Sequence, residues 1–441
     1  MFPKPKPALK PNTYEYESEP LVKPTGFREY DARWLLGSEI NLMGVQALGL
    51  GLGTLIHQLG VKPQIVTGHD FRAYSASVKT ALITGLMASG CTVHDIGLAL
   101  TPMAYFAQFN LELPCVAMVT ASHNDNGWTG VKMGANRPLT FGPDEMTRLK
   151  DIVLGARFEI RGDGAYQFVE NFPARYIADL ANRPKLKRRL KVVCACGNGT
   201  AGAFAPQVLA AVGCEVVPLD CGLDHSFPKY NPNTEDMKML HAMRDEVLRT
   251  NADVALGFDG DGDRCGVVDD TGEEIFADKV GVMLARDISA QHRNATFVAD
   301  VKSTGLFMTD PMLQANGART EYWKTGHSYM KRRVNETGAI AGFEKSGHFF
   351  FNKPLGRGYD DGLVFALAVC DMLDRNPEKH MSDLKNALPK TWSSPTMSPR
   401  CADEIKYRVV EDVVKHFERA KQAGEKFAVK APVKSWRRTL L

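Results

Sequence analysis

An apolar strand, a turn, an amphipathic helix, a glycine and a second apolar strand recur three times along this chain. No other feature narrows the possible folds as much. The first copy runs from Gln64-Ile65-Val66-Thr67 through a helix near residues 77–89 to Gly90-Cys91-Thr92-Val93. The second starts at Val192-Val193, passes a helix near 201–212 and reaches Gly213-Cys214-Glu215-Val216-Val217. The third starts at Phe297-Val298-Ala299, passes a helix near 305–315 and reaches Gly317-Ala318-Arg319. A glycine after the helix suits a left-handed cap, and short apolar strands alternating with helices imply mainly parallel sheets. The copies stand roughly 100–125 residues apart, the mark of tandem domains of one architecture. The expected fold class is α/β: three tandem domains of similar topology with mainly parallel mixed sheets, plus a partial α+β fourth domain. The 441 residues agree with about three domains at ~150 residues each. Expected boundaries are a flexible, proline-rich arm over 1–20, domains at 21–170, 171–270 and 271–392, and an incomplete domain at 393–441.

Composition excludes several classes. A net charge of +3 is too small to argue for nucleic acid or a membrane surface as partner, and the basic run 183–189 reads as a solvated linker. No apolar run approaches the ~18 residues of a membrane helix, and the N-terminus lacks the apolar core of a signal peptide. Nine cysteines, an odd number mostly set in apolar strands, fit reduced thiols and a cytoplasmic protein. The pair Cys194-Ala195-Cys196 lacks a second pair at zinc spacing and reads as core packing.

Three loops carry candidate chemistry. Asp259-Gly260-Asp261-Gly262-Asp263-Arg264 lies between the apolar segments Val254-Ala255-Leu256 and Val267-Val268. Alternate residues of an extended segment share a face, so three carboxylates crowd together, and a divalent cation relieves their repulsion. An EF-hand fails here, because Arg264 holds the loop position that needs glycine and Asp270 the one that needs glutamate. Thr120-Ala121-Ser122-His123-Asn124 directly follows the strand Cys115–Val119, where ligands of α/β sheets gather. The glycine-flanked serine elbow of a hydrolase is missing, whereas a serine beside a metal can hold and return a phosphoryl group. Gly342-Phe343-Glu344-Lys345-Ser346-Gly347-His348 is either a sugar- and phosphate-binding loop or a polar turn. Gly197-Asn198-Gly199-Thr200-Ala201-Gly202, with Asp220 some 20 residues on, fits a dinucleotide fingerprint, but equally any tight strand–helix turn.

Taken in this order, the three loops resemble the α-D-phosphohexomutases, and within them the bacterial phosphomannomutase/phosphoglucomutase group, from about Phe27 to Gly424. The resemblance implies an intramolecular phosphotransferase that interconverts mannose or glucose 1- and 6-phosphates through a phosphoserine and a 1,6-bisphosphate. It implies Ser122 as the phosphate carrier and Asp259, Asp261 and Asp263 as Mg2+ ligands, with Ser122 completing the set. Glu344 and Ser346 match the positions that grip sugar hydroxyls. Tyr30, Arg33, Lys132, Arg264, Lys302, His327 and His348 match positions lining the cleft, with Lys132 or His348 as general base. The implied partners are hexose phosphates, with glucose or mannose 1,6-bisphosphate as activator and a monomer as the oligomeric state. The four domains then carry, in order, the phosphoserine, the metal, the sugar and the distal phosphate. Two rivals keep the family but change the outcome: a sugar-phosphate-binding remnant with impaired catalysis, and a phosphoglucosamine mutase. A dehydrogenase built on the Gly197 turn leaves the aspartate trio unexplained.

Three departures from the family pattern stand out. Trp34 occupies a usual glycine position and Ala195 a usual aspartate position. The third lies in the tail. Ile405, Val409, Val410, Val413, Val414 and Phe417 predict one helix ended by Gly424, but no arginine- and serine-rich phosphate loop follows. A strand near Thr396 and the run Phe427-Ala428-Val429 are expected there, followed by a truncated ending that matches nothing in the family, with a substitute clamp from Arg437 and Arg438 as the lesser alternative.

Overall fold

A computed structural model of the chain describes residues 2–392, 400–402 and 405–424. The chain divides into two compact units, Met1–Ile275 with Tyr359–Ser382, and Phe276–Gly358 with Asp383–Leu441.

The first unit holds two sheets. One comprises β1 (Ala32–Leu35), β2 (Gln64–His69), β3 (Thr92–Leu98), β4 (Cys115–Val119), β5 (Trp128–Gly134) and β6 (Ala165–Phe168), in the order β1-β5-β4-β2-β3-β6. The other comprises β7 (Lys191–Ala195), β8 (Glu215–Leu219), β9 (Val254–Phe258), β10 (Cys265–Asp269) and β11 (Glu274–Ile275), in the order β11-β10-β9-β7-β8. The second unit carries β12 (Thr296–Asp300), β13 (Arg319–Trp323), β14 (Ala341–Phe343) and β15 (Phe349–Phe351), in the order β13-β12-β14-β15.

All three sheets share one four-strand kernel. The first strand of each kernel pairs in parallel with the second on one side and with the third on the other. The fourth returns antiparallel beside the third. Parallel neighbours need a long crossover, here a helix, whereas antiparallel neighbours can be joined by a short loop. The short loop between the third and fourth strands is therefore fixed at the carboxyl edge of the parallel strands in every kernel. Those loops are residues 120–127, 259–264 and 344–348, the three segments with candidate chemistry.

Strands β4 and β9 are buried at every position, as parallel strands covered on both faces should be. The helix-ending glycines of the three copies, Gly90, Gly213 and Gly317, all adopt positive φ (84°, 108° and 72°). The helix of the third copy is split into Leu306–Thr309 and Pro311–Ala315. Pro311 cannot continue a helix, and the Asp310 carboxylate instead caps the new start by accepting from the Met312 and Leu313 amides.

Residues 2–20 hold more structure than their prolines suggest. Lys6 bridges to Leu21, a helix spans Tyr14–Ser18, and the Phe2 and Phe158 rings meet edge to face at 5.8 Å. Trp34 is buried, with its indole N–H donating to the Lys23 carbonyl at 2.8 Å, so the usual glycine position is filled by a packed ring. The tail helix forms at Lys406–Gln422, with Val409, Val413 and Phe417 exposed and Gly424 at φ 82°. The expected strands near Thr396 and at 427–429, and Arg437 and Arg438, lie outside the described residues. Among the described residues, no helix is long and apolar enough to cross a membrane.

Candidate active site

Ser122 sits three residues beyond Val119, where β4 ends, and its backbone takes a left-handed conformation, φ 51°. That conformation costs a non-glycine residue on the order of 1–3 kcal/mol and persists only when its surroundings fix it. Here they do. Thr120 Oγ1 accepts from the Ser122 amide at 2.8 Å, and the Arg72 guanidinium donates to the carbonyls of Ser122 (2.9 Å) and Asn124 (2.8 Å). Arg72 is itself held by Asp70 at 3.1 Å, and Asp70 also accepts from Thr120 Oγ1 and the Ala121 amide. The Ser122 hydroxyl lies 3.3 Å from Asp259 Oδ2, to which it donates, and 3.2 Å from His123 Nδ1.

Asp259, Asp261 and Asp263 are all fully buried, and an oxygen of each lies within 4.8 Å of the others. Lys132, on β5, donates to Asp261 Oδ2 at 2.8 Å and to Asp263 Oδ2. Thr101 Oγ1 donates to Asp261 Oδ2 at 2.5 Å. Arg264 reaches Asp259 through its amide (3.2 Å) and its guanidinium (3.7 Å). Burial, then repulsion from Asp261 and Asp263, pushes the Asp259 carboxyl up to about 7. Burial also opposes ionisation of Asp261, but the Lys132 ammonium and the hydrogen bonds from Lys132 and Thr101 outweigh it and hold this group below the usual carboxylate range. Asp261 Oδ1 is buried with no hydrogen-bond partner among the described residues. An oxygen-only donor set with an orphaned carboxylate oxygen fits a hard divalent cation such as Mg2+.

Arg33, on β1, pairs with Asp31 at 2.8 Å and donates to Asn124 Oδ1 at 2.6 Å, which places it beside the Ser122 loop. Tyr30 precedes it, half-buried, with its phenol acting electrostatically on Arg33. The first unit thus gathers Ser122, Asp259, Asp261, Asp263, Lys132 and Arg264, with Arg33 and Tyr30 alongside.

In the second unit, Glu344 Oε1 accepts from the Gly326 amide at 2.6 Å and Oε2 from Ser346 Oγ at 3.1 Å. Gly326 starts the helix His327–Thr337, so Glu344 ties the sugar-loop candidate to that helix. The His327 and His348 rings lie 5.7 Å apart, both buried. Burial pushes the Glu344 carboxyl up to about 7, with His348 opposing and Asp300 adding. Lys302 is exposed in the turn after β12, and no described contact joins it to this cluster.

Sequence reasoning missed Arg72, Asp70, Thr101 and the place of His123. The first two follow β2 directly, and a charged pair at a parallel strand's carboxyl end was the available signal. Thr101 has no local signal; its partner is 160 positions away. The Gly197 turn is closed by protein: a side chain at Gly197 or Gly199 would press on Pro232, and Asp220 is engaged by Lys229 and by Tyr230. It leaves the dinucleotide reading without a site.

Three family models match in succession: Phosphoglucomutase/phosphomannomutase alpha/beta/alpha domain I over residues 24–159, domain II over 174–272 and domain III over 276–392. A Phosphomannomutase/phosphoglucomutase of Pseudomonas putida is 34% identical over 393 residues, covering 87% of this chain and 81% of the relative. A Phosphoglucomutase of Neisseria meningitidis is 30% identical over 372 residues, covering 84% and 79%. A crystal structure of a Phosphoglucomutase/phosphomannomutase family protein from Burkholderia thailandensis superposes with a TM-score of 0.79 at 31% identity, covering 85% of this chain and 82% of that one. With all three domain models matched in order and the loops in equivalent places of three like kernels, the chain belongs to the phosphoglucomutase/phosphomannomutase family of α-D-phosphohexomutases.

Proposed function

We propose that the protein is a phosphohexomutase that interconverts the 1- and 6-phosphates of mannose, glucose or both, with Ser122 carrying the phosphoryl group and a 1,6-bisphosphate as intermediate. The observation that carries this reading is the Ser122 hydroxyl, held on a left-handed turn 3.3 Å from a buried carboxylate trio. Three buried aspartates beside a serine serve no evident packing purpose, whereas phosphoryl transfer needs positioning and charge neutralisation above all.

In the cycle, the bond from Ser122 Oγ to phosphorus breaks as a sugar hydroxyl oxygen bonds to that phosphorus, and the hydroxyl proton passes to a general base. The bisphosphate then turns over, and Ser122 takes back the other phosphoryl group. Arg33, Lys132 and Arg264 bring positive charge to the transferring group. Lys132 is held as an ammonium by Asp261 and Asp263, so in this state it acts through its charge rather than as a base. His123, 3.2 Å from Ser122 Oγ, is placed to give or take a proton at that oxygen. Asp259, Asp261 and Asp263, with a phosphoserine oxygen, would hold Mg2+, which when bound offsets charge on the phosphoryl group. Glu344 and Ser346 are assigned to sugar hydroxyls, and Tyr30, Lys302, His327 and His348 to the rest of the substrate. Glucose or mannose 1,6-bisphosphate would be the activator. Nine unpaired cysteines suit a cytoplasmic setting.

The test is an assay with glucose 1-phosphate or mannose 1-phosphate, Mg2+ and catalytic glucose 1,6-bisphosphate, alongside the intact mass of the purified protein. Turnover with one phosphoryl group mapped to Ser122 is expected. Absence of turnover with both sugars and the glucosamine analogue leaves only a binding remnant, and turnover with Ser122 never modified defeats the covalent route.

A further inference from the structure

Three thiols that play no part in the mutase chemistry converge at one point of the first unit. Cys194 is the next-to-last residue of β7, Cys196 lies just past its end, and Cys221 lies just past β8, the parallel neighbour of β7. The Cys194 and Cys196 sulfurs are 3.8 Å apart, those of Cys196 and Cys221 are 3.6 Å apart, and all three lie within 4.8 Å of one another. Cys194 and Cys196 are fully buried, while Cys221 is partly exposed and gives the cluster its opening.

We propose that Cys194, Cys196 and Cys221 form a binding site for a soft, thiolate-preferring cation, built from residues and donor atoms different from those of the carboxylate trio. An ion that bonds sulfur at ~2.3 Å in tetrahedral geometry sets its sulfurs ~3.8 Å apart. The Cys194–Cys196 and Cys196–Cys221 spacings of 3.8 and 3.6 Å match that edge, and the third lies within 4.8 Å. Sulfur donors select Cu+, Zn2+ or related closed-shell ions and reject Mg2+, which prefers oxygen. Among the described residues the group contains no fourth histidine, cysteine or carboxylate, so a water would fill that place on Zn2+ or Cd2+, and Cu+ is served by three sulfurs.

The cluster is held in place before any ion arrives. The Cys196 amide donates to the Leu219 carbonyl at 3.1 Å. Asp220 turns through a left-handed backbone, φ 50°, which brings Cys221 back over β7, with its thiol 3.2 Å from the Cys194 carbonyl. The Asn198 amide then donates to the Asp220 carbonyl at 2.7 Å, and its side chain to the Gly222 carbonyl at 2.7 Å. The turn that imitates a dinucleotide fingerprint thus serves to fix the segment carrying Cys221.

The probe is Cd2+, titrated into the reduced, full-length protein in excess Mg2+, with the ultraviolet thiolate-to-cadmium charge-transfer band as readout. The expected result is a band that saturates at one equivalent, is unmoved by further Mg2+, and is weakened at least tenfold in affinity by Cys221→Ser and by Cys196→Ala. Cys401→Ser, which alters an exposed thiol elsewhere, should leave it intact. Circular dichroism and mutase turnover verify the fold of each variant. Cys221, at the opening, gives the test its footing if Cys196→Ala fails to fold. No band in the wild-type protein, or a band unchanged in Cys221→Ser, overturns the site.

Discussion

The hairpin loops of the second and third kernels occupy the same topological place and do opposite electrostatic work. Residues 259–264 enclose three buried carboxylates whose charge is met by Lys132 from another sheet. Residues 344–348 bury one carboxylate, satisfied by the Gly326 amide and a neighbouring serine. The first loop sets three carboxylates against the charges of Lys132 and Arg264, and its all-oxygen donor set fits a cation. The second can be settled by neutral donors, which is the chemistry of hydroxyl recognition. Topology decides where a ligand is met, and residue type decides which ligand.

The largest expected effect tests the charged loop. Asp261→Asn should lower kcat by about 1000-fold, the scale of losing a preorganised electrostatic element, with the fold intact by circular dichroism. Wild-type turnover and Mg2+ dependence in this variant would erase the contrast between the loops. Next, Lys132→Met should destabilise the metal-free protein by about 3–5 kcal/mol, because buried carboxylates lose their cation. Added Mg2+ should restore part of that loss in a denaturant titration; indifference to Mg2+ would mean the trio does not take the ion.

A smaller effect belongs to the third kernel. Glu344→Gln should raise KM for both hexose phosphates by about tenfold, the value of a charge-assisted hydrogen bond, with kcat little changed. The same variant separates the loops by pH. Glu344 has a folded-state pKa raised to about 7, so its contribution to stability is fully present below the ordinary glutamate pKa and is lost as pH rises through about 7. Thermal unfolding from pH 5 to 8 should therefore decline less steeply in Glu344→Gln than in the wild type, whose Asp259 remains in both proteins. Equal slopes would mean that burial does not raise the Glu344 carboxyl.

The smallest effect is a gain. Ser122→Gly should relieve the left-handed backbone and add about 0.5–1 kcal/mol of stability while mutase turnover disappears. No gain would mean that the turn around Ser122 bears no strain.

Much of this was legible in the chain itself. The kernels announced themselves because strand and helix periods are local, and glycine caps at Gly90, Gly213 and Gly317 sit where the pattern ends. The aspartate trio was equally plain, since alternation packs three carboxylates within six residues. The supports were not. Arg72 holds a carbonyl 50 positions away, and Thr101 reaches Asp261 across 160, and no periodicity encodes such meetings. Pro311 marks the split of the helix at Asp310, but the surrounding apolar spacing carries on through it and hides the break. Cys194, Cys196 and Cys221 escaped for a third reason: spacing rules look for pairs of pairs, while here a parallel neighbour strand supplies the missing member.

Lys132 also shapes how the trio is kept when no other cation is near. By lying between Asp261 and Asp263, its ammonium acts as an internal counter-ion that the protein carries with it. Loading of a divalent ion at this trio would then be an exchange, in which a tethered cation must give ground, rather than an addition to bare charge. Such a tethered competitor would weaken net affinity, limit the mutual repulsion of the carboxylates, and let an ion leave without exposing three naked carboxylates to one another.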